Sequence, residues 1–167
     1  PTPTPAPAAA PMDYLVCFVK RSARSAFMPD KMVFPGGAVD PADRATAAAG
    51  GGALGPGPVH AAADSPPEAV IRVAACREAF EEAGLPLVSP PPPAERWPSV
   101  CGAWRERVHG DAAEFAQMCA EIGARPAVDA LQYWCSFITP NAEHDRLKKG
   151  GFDARFYLWR APDGAAV

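Results

Sequence analysis

The most informative stretch of this chain of 167 residues runs Arg77-Glu78-Ala79-Phe80-Glu81-Glu82-Ala83-Gly84-Leu85. At about 100° per residue, the step of an α-helix, Glu78, Glu81 and Glu82 fall on one side. A separate apolar stripe lies roughly opposite and comprises Val73, Cys76, Phe80 and Ala83. Clustered carboxylates repel one another, and their oxygens are the ligands that Mg²⁺ and Mn²⁺ prefer. The stretch therefore predicts a helix that buries one side, presents a metal-binding cluster on the other and ends at Gly84.

The pattern of this stretch, R-E-hydrophobic-x-E-E-x-G-hydrophobic, resembles the second half of the Nudix box. That box is the signature of hydrolases that cleave a diphosphate linked to another group. Upstream, the segment 34–40 reads Phe-Pro-Gly-Gly-Ala-Val-Asp and resembles the opening of the box. Gly36 and Gly37 lack a Cβ, so their backbone could approach a metal or phosphate closely. The resemblance implies that a carbonyl of this pair helps to ligate the metal, whereas taken alone the pair would be an ordinary turn.

The sequence departs from the usual box in two ways. The segment 40–64, rich in Ala, Gly and Pro, separates the glycine pair from the helix, and its composition predicts a flexible loop. The box also has a glutamate eight residues before its arginine, a position that Ala69 holds here. Glu68 is out of phase, and the run Ser65-Pro66-Pro67-Glu68 predicts a capping box at the start of the helix. Glu68 is therefore not counted among the metal ligands.

Several features resemble one Nudix subgroup, that of nucleoside-diphosphate-linked moiety X motif 19. Arg21-Ser22 precedes the glycine pair at the spacing of Nudix enzymes that hydrolyse CoA and acyl-CoA, although Ala26 and Asp30 depart from that motif. The long insertion in the box and the segments 103–105, 134–140 and 152–156 add to the resemblance, which spans Met12 to Trp159. It implies cleavage of CoA into 3′,5′-ADP and 4′-phosphopantetheine halves. The sequence lacks the motifs typical of dinucleoside polyphosphate hydrolases and of NADH pyrophosphatases. Enzymes that act on ADP-ribose favour a single proline downstream of the box, and this test cannot be applied to a chain with so many prolines.

The resemblance implies metal-assisted hydrolysis with Mg²⁺ or Mn²⁺ as cofactor. Glu78, Glu81 and Glu82 would bind the metal, and one of the three could act as general base. Arg77 would hold a glutamate in place through a bidentate pair. The alternative for Arg77 is a surface i,i+4 ion pair with Glu81 worth about 0.2–0.5 kcal/mol. The alternative for the whole cluster is a solvated acidic helix face.

Substrate contacts are expected from the residues that follow the first strand. Arg21, Ser22 and Arg24, next to Lys20, could meet the phosphates of a CoA-like nucleotide. An ordinary solvated strand end is an equally good interpretation of these residues.

Net charge, hydropathy and cysteine content limit which partners and which cellular compartment the sequence predicts. The net charge of −3 gives no reason to expect nucleic acid or an anionic membrane as a partner, and no apolar run is long enough to span a bilayer. Five cysteines without a CxxC pair fit free thiols in a reducing, intracellular compartment. The resemblance implies the peroxisome or mitochondrion as the compartment, and no targeting signal is legible in the sequence. The oligomeric state stays open.

The predicted fold is α+β, a Nudix-type α/β/α sandwich with a mixed sheet. Strands are predicted at 12–20, 31–34, 132–138 and 153–159, the catalytic helix at 65–83, and further helices at 98–108 and 111–123. Residues 1–11 are expected to be a disordered tail before a single domain spanning 12–162, with a flexible insertion at 40–64 and a helical insertion at 98–128. No C-terminal helix is legible in 161–167, so a C-terminal truncation is expected.

A second function class also fits part of the sequence. Ala69 and the long insertion favour a catalytically inactive Nudix-like module that binds nucleotides or regulates another protein. The intact carboxylate trio argues against it, because a chain released from catalysis has little reason to keep charges that repel one another. A third interpretation is that the chain is an inert fragment.

Overall fold

The computed structural model describes residues 14–25, 28–50, 57–58, 65–139 and 152–161. The chain divides into two compact units, Pro1–Phe34 and Pro35–Val167. The first unit contains the antiparallel strands β1 (Val19–Lys20) and β2 (Met32–Val33), with Val19 opposite Val33. The sequence predicts a strand over 12–20, but only its last two residues form one, since 14–18 have no regular structure. Met12 lies outside the described residues. The single domain at 12–162 stays a prediction.

The second unit contains helices and short antiparallel strands. In chain order its elements are α1 (Pro41–Ala49), α2 (Glu68–Ala83), β3 (Val88–Ser89), α3 (Trp97–Gly110), α4 (Glu114–Ile122), β4 (Arg125–Pro126), β5 (Gln132–Ile138) and β6 (Asp153–Leu158). β3 pairs with β4 and β5 pairs with β6. The α+β class is confirmed. Over the described ranges, however, the strands form three two-stranded antiparallel sheets rather than the predicted mixed sheet.

Helix α1 contradicts the flexible loop predicted from Asp40. The Asp40 side chain accepts a hydrogen bond from the Ala42 N–H at 2.8 Å, and the Asp43 side chain accepts one from the Asp40 N–H at 2.8 Å. This reciprocal capping box, with Pro41 in the first turn, starts the helix. The following residues are mostly alanine, the best helix former, so the same composition that indicated a loop supports a helix. Residues 51–56 and 59–64 of the predicted loop lie outside the described residues.

Helix α2 begins three residues later than predicted, and its cap differs. The N-cap is Pro67, whose ring has no hydrogen-bond acceptor to cap the helix. Ser65 Oγ instead donates to Asp153 Oδ2 at 3.2 Å. Glu68 is engaged elsewhere: its carboxylate accepts hydrogen bonds from Arg155 and Tyr157 of β6, at 2.8 and 2.9 Å. The predicted Ser65–Glu68 capping box is therefore wrong, because ion pairing with a distant strand takes the Glu68 carboxylate.

A buried charge network surrounds Glu68. Arg72 is fully buried, donates from Nε to Glu68 at 2.8 Å, and donates from Nη1 to the carbonyls of Val128 and Leu131. The Arg72 guanidinium also lies 5.1 Å from the centre of the Tyr157 ring. Burial and the hydrogen bond to Glu68 together raise the pKa of the Tyr157 hydroxyl. Glu68 thus ties α2 to β6.

We expect Glu68→Ala to lower the free energy of unfolding by about 3 kcal/mol, because it leaves two arginines without their shared partner. The affinity for Mn²⁺ should not change, since Glu68 is occupied by these partners. Urea denaturation measures the first quantity and calorimetric titration the second. Glu121→Ala, an exposed change on α4, serves as the control. A weaker Mn²⁺ affinity in Glu68→Ala alone would make Glu68 a ligand and contradict this assignment.

The core of the second unit lies between α2, α3 and α4. The predicted apolar stripe of α2 is buried at Val73, Cys76 and Phe80, each at most 3% exposed. The Phe80 ring meets Trp97 edge-on at 5.6 Å and lies 6.1 Å from the ring of Phe115 on α4. This packing turns the carboxylate side of α2 away from the core.

The cysteines are free thiols, as predicted. Cys76 is fully buried and Cys17 half-buried. Burial raises the pKa of Cys76, and it raises that of Cys119 to about 12, so both remain protonated near neutral pH. Among the helices that the structure describes, none has both the length and the apolar character needed to cross a membrane.

Candidate active site

Arg77 lies at the centre of the carboxylate side of α2 and is almost completely buried, with 4% of its surface exposed. Its Nε donates to Asp43 Oδ1 at 2.9 Å and its Nη2 to Asp43 Oδ2 at 3.1 Å. This bidentate pair joins α2 to α1 across 34 residues of sequence. The i,i+4 ion pair with Glu81, considered as the alternative for Arg77, is present at 2.6 Å but is buried rather than at the surface. The bidentate partner of Arg77 is an aspartate rather than the predicted glutamate.

The remaining donors of Arg77 reach the predicted metal ligands. Nη1 donates to Glu81 Oε1 at 2.6 Å and to Glu78 Oε1 at 3.0 Å, and Nη2 also donates to the Ala38 carbonyl at 3.0 Å. Burial opposes the charge on Arg77, but the hydrogen bonds to Asp43 and Glu81 outweigh it and raise the pKa of Arg77. A permanent cation thus holds two of the three carboxylates side by side.

The three glutamates differ in environment. The side chains of Glu78 and Glu81 are only 14% and 8% exposed, whereas Glu82 is exposed and accepts a hydrogen bond from the Gly36 N–H at 3.0 Å. Burial raises the pKa of the Glu78 carboxyl; Arg77 opposes that effect and the charge of Glu81 adds to it. The cluster therefore has a self-repulsion that Arg77 offsets in part and that a further cation would reduce.

The glycine pair packs directly against these carboxylates. Gly36 has φ +154°, a conformation that residues with a Cβ rarely adopt. A Cβ built on Gly37 would lie 2.5 Å from Cδ and Oε1 of Glu78. Only glycine at 37 lets the chain approach the Glu78 carboxylate this closely. The structure thus brings Gly36 beside Glu82 and Gly37 beside Glu78, as the sequence predicted for the two halves of the box.

If Glu78 is the metal ligand that the sequence predicts, replacing Gly37 with Ala should displace its carboxylate and lower kcat by about 10-fold or more. The free energy of unfolding should change by less than about 1 kcal/mol, because the displaced atoms are the end of a flexible side chain. Steady-state kinetics and urea denaturation measure the two quantities. Gly102→Ala is the matched control, since a Cβ there meets no atom within 4 Å of the described residues. Equal kcat in both variants would contradict the close approach at Gly37.

Helix α3 packs on the end of α2. Arg105 donates from Nε and Nη2 to the Glu81 carbonyl at 3.2 and 2.9 Å, and from Nη2 to the Glu82 carbonyl at 3.1 Å. Trp97 Nε1 donates to the Gly84 carbonyl at 2.6 Å. His109 Nδ1 lies 3.5 Å from Glu81 Oε2 and is largely exposed. The helical insertion predicted at 98–128 therefore contacts α2, the helix that carries the predicted metal ligands.

The donor chemistry of the cluster fits a divalent cation. Within the described residues, Glu78 Oε2 and Glu82 Oε1 accept no hydrogen bond, so both oxygens remain available as ligands. In the present arrangement, however, no group of three or more His, Cys, Asp or Glu side chains in the described ranges is placed to hold a metal ion. Glu81 is held by Arg77 and Glu82 by Gly36. Coordination by all three glutamates would require at least one carboxylate to rotate.

The predicted substrate-binding residues belong to the first unit. Arg21 donates from Nε and Nη2 to Ser25 Oγ at 3.2 and 2.8 Å. Arg24 donates its backbone N–H to Ser22 Oγ at 3.2 Å. These bonds order the turn after β1, and contact of Arg21, Ser22 and Arg24 with a substrate stays a prediction.

Sequence reasoning missed Asp43, the acidic partner of Arg77. The acidic residue of the box is expected eight residues before Arg77, and that position is Ala69. The insertion separates Asp43 from α2, so this spacing does not find it. The capping pattern Asp40-Pro41-Ala42-Asp43 was the available signal, since it places a helix and an aspartate directly after the glycine pair. Counting forward from Gly37 finds the residue.

A family model and several curated proteins that resemble this chain all belong to one type of Nudix protein. The model of the NUDT19 Nudix domain matches residues 59–164, which include the carboxylate cluster and Arg77 but not Gly36, Gly37 or Asp43. Acyl-coenzyme A diphosphatase NUDT19 of Gallus gallus is 37% identical over 89% of this chain and 48% of that protein. The human protein of the same name is 31% identical over 87% of this chain and 47% of its own length. The chain spans about half the length of these curated relatives.

A solved structure supports the fold. The crystal structure of a NUDIX hydrolase from Alicyclobacillus acidocaldarius superposes with a TM-score of 0.56 over 85% of this chain and 60% of that chain. At 24% identity this likeness speaks for the fold alone. It agrees with the Nudix architecture expected from the sequence.

Proposed function

The chain belongs to the NUDT19 Nudix domain family, and on that premise we propose that it hydrolyses the diphosphate bond of CoA or acyl-CoA. The products would be 3′,5′-ADP and 4′-phosphopantetheine or its acyl derivative. The observation that carries the proposal is the buried Arg77, which donates to both Glu78 and Glu81, with Glu78 packed against Gly37. The names of the avian and human relatives support the substrate class.

The residues of α2 have distinct roles in this proposal. Mg²⁺ or Mn²⁺ held by Glu78, Glu81 and Glu82, with a carbonyl of Gly36 or Gly37, would supply charge neutralisation at the diphosphate and a more acidic water. One of the three carboxylates accepts a proton from the water whose oxygen attacks phosphorus. The anhydride P–O bond breaks, and the departing phosphate keeps its electron pair. Arg77 keeps the carboxylates of Glu78 and Glu81 oriented, because its charge is permanent and its Nη1 donates to both of them.

The proposal is tested by a product screen with Mg²⁺ and with Mn²⁺. The substrates are CoA, an acyl-CoA, dephospho-CoA, ADP-ribose, NADH and a dinucleoside polyphosphate, with products separated by anion-exchange chromatography. We expect 3′,5′-ADP from CoA and acyl-CoA, and lower kcat/KM for dephospho-CoA, which lacks the 3′-phosphate. Preferred cleavage of a substrate other than CoA species would keep the diphosphatase chemistry and overturn the CoA assignment.

A non-hydrolytic binding module is the second candidate. The observation that favours it is the placement of Glu81 and Glu82 against Arg77 and the Gly36 N–H, without a metal-binding group of three side chains among the described residues. A folded protein that binds CoA with a measurable Kd but cleaves no member of the screen would support this candidate. Turnover of any member excludes it.

A further inference from the structure

Glu81 and Glu82 lie in the last turn of α2. Their side chains belong to the carboxylate cluster, and their backbone carbonyls lie at the end of the helix. An α-helix leaves its last four carbonyls without intrahelical partners. Gly84, with φ 66°, ends the helix, and its N–H donates to the Phe80 carbonyl at 2.8 Å. The next two carbonyls, of Glu81 and Glu82, need donors from elsewhere in the protein.

One side chain of α3 supplies these donors. The Arg105 guanidinium reaches the Glu81 carbonyl through two nitrogens and the Glu82 carbonyl through one, at 2.9 to 3.2 Å. Trp97, eight residues earlier and on the same side of α3, donates to the Gly84 carbonyl and fixes the distance between the two helices. A cation at this end of α2 also interacts favourably with the helix dipole.

We propose that Arg105 is a positioning residue, which sets the orientation of the Glu81 and Glu82 carboxylates by holding the backbone from which they project. This inference rests on the proposed function. Arg105 does not contact the carboxylates and acts through main-chain carbonyls. Its planar fork spans two carbonyls at once, which a lysine ammonium cannot reproduce. Because Arg105 is only half-buried, water can solvate both carbonyls when it is removed, so the fold tolerates its loss.

The test compares Arg105→Met and Arg105→Lys with Arg107→Met on the same helix. Arg107 lies 3.7 Å over the Trp104 ring and pairs with Glu114 of α4, and within the described residues no hydrogen bond or ion pair joins it to α2. We expect Arg105→Met to lower kcat by about 10- to 100-fold, as loss of a residue that orients metal ligands does. KM and Tm should stay near the wild-type values. Arg105→Lys should recover part of kcat, and Arg107→Met should match the wild type.

A second readout separates this inference from the proposed function. Amide hydrogen exchange at residues 82–85 should be faster in Arg105→Met than in wild type or Arg107→Met, and the Kd for Mn²⁺ should rise. If the wild type cleaves no substrate, the proposed function fails, while exchange and Mn²⁺ affinity still decide the role of Arg105. Wild-type kcat in Arg105→Met would overturn the positioning role, as would unchanged exchange and Mn²⁺ affinity in that variant. Equal losses in Arg105→Met and Arg107→Met would also overturn it.

Discussion

We expect the replacement of Glu81 with Gln to lower kcat for the proposed CoA hydrolysis by about 10²–10⁴-fold, the range for removal of a carboxylate that takes part in proton transfer. Glu81 is the least exposed of the three glutamates and the closest to Arg77, at 2.6 Å. Gln has nearly the same shape, and its amide oxygen can still accept a hydrogen bond from Arg77. The charge is lost while the packing is kept, so the fold should survive. Steady-state kinetics with Mg²⁺ measures the effect.

The control for Glu81→Gln is Glu121→Gln on the exposed side of α4, which removes the same charge at a distance from the cluster. Far-UV circular dichroism and Tm verify that both variants fold. Arg77 keeps Asp43 and Glu78 as partners in the first variant, so its charge stays compensated. An unchanged kcat in Glu81→Gln would contradict the mechanism proposed for this site.

The largest loss of stability is expected for Asp43→Ala, about 3–5 kcal/mol in the free energy of unfolding, the cost of leaving a buried charge without its partner. Asp43 is 1% exposed and makes both bonds of the bidentate pair with Arg77. It also accepts a hydrogen bond from the Asp40 N–H, so the substitution removes half of the capping box of α1. Urea denaturation monitored by circular dichroism measures the change.

The matched control is Asp129→Ala, which breaks an ion pair at the surface. Arg125 donates to both oxygens of Asp129, at 3.2 and 2.9 Å, but each side chain is about 40% exposed. Such exposed pairs contribute about 0–1 kcal/mol. Similar losses in the two variants would mean that the burial of the Asp43–Arg77 pair has no energetic consequence. Asp43→Asn, which keeps the shape and one acceptor, should fall between Asp43→Ala and the wild type.

Two of the failed predictions have different physical causes, one local and one long-range. Composition indicated a loop from Asp40 onward, but a local capping box and the helix propensity of alanine decide the conformation of Pro41–Ala49. Local pattern indicated a Ser65–Glu68 cap, but Glu68 pairs with Arg155 of β6, 87 residues away. Sequence spacing cannot report a partner at that distance, because the length of the intervening chain sets no fixed geometry.

The sequence by itself determined what depends on neighbours in the chain. The helical period places Glu78, Glu81 and Glu82 on one side of α2, and the αL preference of glycine ends the helix at Gly84. Only the tertiary structure decided which groups hold that cluster. Asp43 neutralises Arg77 and Arg105 caps the last turn of α2, because packing of α1 and α3 against α2 brings donors and acceptors distant in sequence within hydrogen-bond range.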